Sequence, residues 1–145
     1  MKIFTIGFTK KSAETFFTAL QKAEVKTLVD VRLNNVSQLA GFAKKTDLAY
    51  FVKEICNINY IHIPLLAPSQ ELLTAYKMQN GDWSVYEKAF LRLIEERRID
   101  SAIDRQTLDR GCLLCSEHRP DHCHRRLVAE YLREHWGDVE IEHLV

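Results

Sequence analysis

Residues 113–126, LLCSEHRPDHCHRR, carry two cysteines, three histidines and three arginines. Donors of these types suit metal coordination, a thiol with activating groups, or anion recognition by guanidinium forks. For zinc, Cys112-x2-Cys115 joins Cys123, His124, His118 or His122 in a sulfur and nitrogen set. However, CLLC reads as a buried strand, and residues three apart on a strand point to opposite faces. No metal ligand is therefore assigned, and no stoichiometric zinc is expected. For a thiol site, Cys115 ends that strand, with Arg119, Arg125 and a protonated histidine to lower its pKa. Glu117, two residues on, is expected to oppose this by like-charge repulsion. For a carboxylate site, Glu117 faces Arg32 and Arg125 and acts as general base or binds a ribose or base edge, while Cys115 packs beneath. The structural alternative is a clamp, in which Glu117 pairs with Arg125 and ties the last helix to the sheet.

Which of these holds depends on the elements that carry the stretch. KIFTIGF and KTLVDVR are β-rich runs ended by Gly7 and by Asp30 and Arg32. NYIHIPLL is a third strand stopped by Pro64, CLLCS a fourth, and VEIEHLV alternates as a terminal one. Between them, Ser12 caps a helix with Phe16, Phe17 and Leu20 on one face. Leu48, Phe51, Val52 and Ile55 mark a second helix. Ser69 caps QELLTAYKMQ, broken at Gly81, and SVYE is a capping box ahead of Tyr86, Phe90, Leu93 and Ile94. SAIDRQTLDR predicts one short helix, and VSQLAGFAKKT a loop. A last helix, from about Asp121, carries Leu127, Val128, Tyr131, Leu132 and Trp136 and closes at Gly137. Alternating strands and helices predict a single α/β domain over residues 1–145, Rossmann-like, its mainly parallel sheet covered by helices on both faces.

Composition narrows the function classes. Twenty basic and twenty acidic side chains cancel, which argues against a nucleic-acid coat but leaves a local basic pocket open. No apolar run reaches the roughly 20 residues that span a bilayer, and MKIFTIGFTKK enters a strand directly. A cytoplasmic location is expected, with the four cysteines as thiols, ligands or core fillers.

TIGFT, LVDVR and C-x-E-x-x-P-x-x-C-H-R (Cys115, Glu117, Pro120, Cys123, His124, Arg125) together resemble the domain-of-unknown-function 488 family, over nearly the whole chain. The resemblance implies a compact α/β fold and, by itself, no reaction. Where that family's first strand usually ends in Gly-His-Ser, this chain has Gly7, Phe8 and Thr9. The family's proline after Asp-Val-Arg is missing from LNNVSQ, and LLAPS replaces its Leu-Gly-Gly. The order of VDVR, a strand-end cysteine, a helix and a last strand is also similar to rhodanese sulfurtransferases. Their Cys-x4-Arg or Cys-x5-Arg loop, however, would require arginine at Pro120 or Asp121.

Ligands of open parallel sheets bind beyond the carboxyl ends of the strands. Gly7, Thr9, Asp30, Arg32, Cys115 and Glu117 all follow such ends, so one rim is expected to gather them. The expected protein is an enzyme with an anion site there, without cofactor, acting on a small phosphorylated or nucleotide-like ligand or a nucleic-acid terminus. Its catalytic candidates are Glu117, Cys115 and Asp30, and its binding candidates Arg32, Thr9, Gly7, His124, Arg125 and Arg119. A rhodanese-like thiol enzyme using Cys115, or a non-catalytic nucleotide or nucleic-acid module, are the rival expectations. Arg32→Ala or Arg125→Ala is expected to weaken ligand binding and leave thermal stability nearly unchanged; a clamp predicts the reverse.

Overall fold

Every strand that the sequence pattern marks is present in the computed structural model, which describes residues 1–35, 41–78 and 81–145. The strands are β1 (Lys2–Gly7), β2 (Thr27–Asp30), β3 (Asn59–His62), β4 (Gly111–Cys115) and β5 (Glu140–Leu144). The helices are α1 (Ala13–Lys22), α2 (Lys45–Cys56), α3 (Gln70–Met78), α4 (Trp83–Arg97), α5 (Ile99–Ala102), α6 (Arg105–Leu108) and α7 (His124–Trp136). The sheet runs β3-β2-β4-β1-β5 with every neighbouring pair parallel. This is the Rossmann-like α/β architecture expected of alternating elements.

Two apolar layers sandwich the sheet. Phe4, Ile6, Leu28, Cys112 and Leu114 pack against Phe16, Phe17 and Leu20 of α1 and Leu48 and Val52 of α2. Ile3, Val29, Leu113 and Cys115 pack against Tyr86, Phe90 and Ile94 of α4 and Leu127, Val128, Tyr131 and Leu132 of α7. The period of two thus divides Cys112 from Cys115, placing them on opposite faces.

Local chemistry departs from the sequence pattern in a few places. The N-cap of α4 is Asp82, which accepts from the amides of Ser84 and Val85, so SVYE does not form the capping box. An extended residue just ahead of the helix with a short carboxylate is a strong cap, and Ser84 Oγ becomes its donor at 2.9 Å. SAIDRQTLDR makes two single turns, α5 and α6, because Ile103 is extended and Asp104 caps anew. Of VSQLAGFAKKT, residues 36–40 lie outside the described residues; Gly41–Ala43 form a 3-10 turn and Lys45 already opens α2. On the helices, Leu93 is half-buried and Ile55 is exposed. α7 starts at His124 with Cys123 as its N-cap residue, later than Asp121.

Register brings the strand ends level. Gly7 is paired with Cys115, and Asp30 stands opposite both Leu114 and His62. The chain after β4 then crosses directly over the end of β1. A Cβ on Gly7 would lie 1.6 Å from the Glu117 carbonyl oxygen, so only glycine admits this crossing. Thr9 adds two bonds to the Ser116 carbonyl, from its amide at 3.1 Å and from its hydroxyl. Gly7→Ala is therefore expected to destabilise by at least the roughly 1–3 kcal/mol of an overpacked core. Denaturant unfolding measures this, and an unchanged midpoint would contradict the crossing.

Candidate functional site

Beyond the carboxyl edge lies a pocket of about 270 Å³, lined by Arg32, Cys115, Ser116, Glu117, Cys123 and His124 on the sheet side. Pro68, Leu73 and Tyr76, with Trp83, Tyr86 and His122, form its opposite wall, and Leu33 and Asn34 also line it. The rings form a pile: Trp83 stacks on His122 at 5.1 Å and on Tyr86 at 5.1 Å.

Asp30 and Arg32 hold the β2 side of this pocket. Asp30 is fully buried, and Arg32 is 3% exposed. The guanidinium binds the carboxylate through Nε to Oδ1 at 2.8 Å and Nη2 to Oδ2 at 2.7 Å. The Arg32 amide and the Tyr60 hydroxyl also donate to Asp30. His62 Nε2 donates to the Arg32 carbonyl at 2.8 Å, and the Arg32 guanidinium lies over the Phe8 ring. Arg32 Nη1 is buried and has no partner among the described residues. Burial pushes the Asp30 carboxyl up, but the bonds from Arg32 and Tyr60 outweigh it and hold the group below its ordinary value.

Cys115, Cys123 and His124 form the floor. All three are buried, and their Sγ, Sγ and Nδ1 atoms lie within 4.8 Å of one another, close enough to share a metal ion. Cys115 Sγ stands 3.6 Å from His124 Nδ1. His124 Nε2 donates to the Val31 carbonyl at 2.7 Å, which leaves Nδ1 of the neutral ring as a lone pair facing the sulfurs. The Cys115 thiol is lowered from its ordinary value by the adjoining Cys123 thiol, against burial, with help from Arg125 and the amides of Glu117 and Ser116. Burial and the neighbouring Cys115 push Cys123 well up. Glu117 thus acts on this thiol through its N–H, which stabilises a thiolate, in place of the repulsion expected from its carboxylate.

The candidates of the sequence pattern fall into three groups. Arg32, Cys115, Glu117 and His124 line the pocket together. Thr9 and Arg119 line an adjoining hollow that shares Glu117 and His122 with it. Asp30, Gly7 and Arg125 lie beneath as supports. Arg125 is fully buried and donates to the carbonyls of Glu117 at 2.7 Å and His118 at 3.3 Å. It ties α7 to the loop as the clamp reading expected, but through the Glu117 carbonyl. Sequence reasoning did not place Tyr60, His62 or the aromatic wall at this site. Tyr60 and His62, two apart in β3, share a face that turns to Asp30 and Arg32, a period-two signal that a third strand offers once its neighbour is known.

Comparison with known proteins adds one decisive match. The family described as "Domain of unknown function DUF488" matches residues 12–132. The chain belongs to this family. Neither the curated proteins nor the solved structures compared with it include a match. Among the described residues, no helix is long and apolar enough to cross a membrane.

The buried pair sets two expectations for this family member. Asp30→Asn strands the Arg32 charge and Arg32→Ala strands the Asp30 carboxylate, each at a cost of roughly 3–5 kcal/mol. This replaces the expectation that Arg32→Ala leaves stability unchanged. Because the folded Asp30 pKa lies below its ordinary 3.8, the pair's contribution is complete above about pH 4. It is lost as pH falls through the folded value. Urea midpoints measured from pH 7 downward should show the wild type losing its advantage over Asp30→Asn below that range. An advantage constant down to acid unfolding would contradict the pair.

Proposed function

We propose that the pocket at the carboxyl edge is the active site of an enzyme acting on an anionic, nucleotide-like substrate. Arg32 carries the reading. Asp30 fixes its guanidinium through Nε and Nη2, and Nη1 keeps a hydrogen unspent in a residue that lines the pocket. A buried cationic donor without an acceptor is costly, and a phosphate or carboxylate oxygen offsets that cost. The wall of Tyr76, Trp83 and Tyr86 offers apolar surface to a planar ring. The reacting bond then faces Cys115 and His124, with the exposed Glu117 carboxylate on the rim as general base. A nucleic-acid terminus has the same chemistry of a phosphate beside a base.

A rhodanese-like thiol enzyme is the second reading, favoured by the Ser116 and Glu117 amides that donate to the Cys115 sulfur. In it Cys115 gives its proton to His124 Nδ1 and attacks the outer sulfur of a sulfane donor, whose S–S bond breaks to release the rest of the donor with the electron pair. A binding module without catalysis is the third; it predicts ligand binding with no turnover.

Thermal unfolding with inorganic phosphate, nucleosides and nucleoside monophosphates tests the ligand class. A nucleoside monophosphate at 100 times its Kd should stabilise by about 2.7 kcal/mol, a shift of several degrees, and by more than phosphate or nucleoside alone. Trp83→Ala should weaken that effect. Stabilisation by none of them, or equal stabilisation of Trp83→Ala, would contradict the reading.

A further inference from the structure

We propose that Cys115, Cys123 and His124 bind one zinc ion, whose fourth position faces the pocket. This site is independent of the ligand class proposed above. Zn–S and Zn–N bonds of about 2.3 and 2.05 Å at the tetrahedral angle set sulfur and nitrogen about 3.6 Å apart. Cys115 Sγ and His124 Nδ1 are 3.6 Å apart, and Cys123 Sγ completes a triangle with no edge over 4.8 Å.

Three further features suit a metal. The Val31 carbonyl accepts the His124 Nε2 hydrogen at 2.7 Å, which fixes the ring with Nδ1 as the free lone pair. A ligating histidine is normally oriented in this way. The Ser116 and Glu117 amides donate to Cys115 and spread a thiolate's charge. All three donors are buried at the floor of the pocket. Two thiolates and an imidazole favour zinc over the hard cations that prefer oxygen. The earlier expectation against zinc rested on Cys112 and Cys115 pointing apart. They do, and Cys112 stays in the opposite layer while other donors meet Cys115.

Binding balances simply: two thiols lose their protons to solvent as Zn²⁺ enters, giving a neutral centre. Three protein ligands with an open position form the class in which zinc activates water or polarises a substrate oxygen. The three donor residues all line the pocket, so a pocket molecule takes the fourth place.

Elemental analysis of the full chain, purified without a histidine tag or chelator, tests this directly. About one zinc per chain is expected, lost to a chelator and regained on titration with Zn²⁺. Cys115→Ser, Cys123→Ser and His124→Ala should each lower zinc affinity at least tenfold, and Cys112→Ser should leave it intact. Should those variants fail to fold, cobalt(II) added to the stripped wild type should give the thiolate charge-transfer absorption of a tetrahedral site. A wild type that neither carries nor takes up zinc would overturn the proposal, as would a different resident metal. So would zinc that survives Cys123→Ser and His124→Ala together. Nucleotide binding by the stripped protein, measured alongside, separates failure of the zinc site from failure of the ligand reading.

Discussion

A carboxylate buried at the end of a central strand must find a cation or lose its charge, and much of this rim is arranged around that constraint. Asp30 is fully buried at the last position of β2. Its solution is Arg32, two residues on, held by two parallel bonds and by the Arg32 amide. Tyr60 and His62 on the neighbouring strand then pin the carboxylate and the arginine backbone. The arrangement fixes a guanidinium in one orientation at the sheet edge. It also leaves Nη1 of Arg32 buried without an acceptor among the described residues, the feature on which the proposed anion site rests.

The other half of the rim is built from backbone. Gly7 lets the chain after β4 cross β1, and Thr9 and Arg125 hold that chain by its carbonyls. Since carbonyls are the anchors, the amides of Ser116 and Glu117 are free to serve the Cys115 sulfur. The fully buried Arg125 is therefore a support, and its influence on the site is a nearby positive charge. His124, next in the chain, turns to the opposite task, bridging the Val31 carbonyl to the Cys115 sulfur. Two adjacent residues at the start of α7 thus brace the loop and furnish the floor.

Periodicity was enough to read the sheet, its covering helices and the rim. The apolar runs ending at Gly7, Asp30 and Cys115 marked the strand ends that the register brings level. The separation of Cys112 from Cys115 followed from the period of two. What the pattern did not carry was direction in three dimensions. Nothing in the spacing says that Arg125 turns inward to carbonyls, or that Cys123 and His124 lean back toward Cys115 across the loop between them. The cap at Asp82 over Ser84 turned on backbone geometry at one residue. The aromatic wall comes from α3 and α4, which read as ordinary amphipathic helices until their place above the sheet edge is known.

The central claim, that the carboxyl edge at Arg32 and Cys115 is the ligand site, is tested most directly by NMR titration with a nucleoside monophosphate. Saturable shifts are expected at the Arg32 guanidinium, the Ser116 and Glu117 amides and the Trp83 indole. Shifts confined to the apolar groove of Phe17, Phe42 and Phe51 on the opposite layer would contradict it.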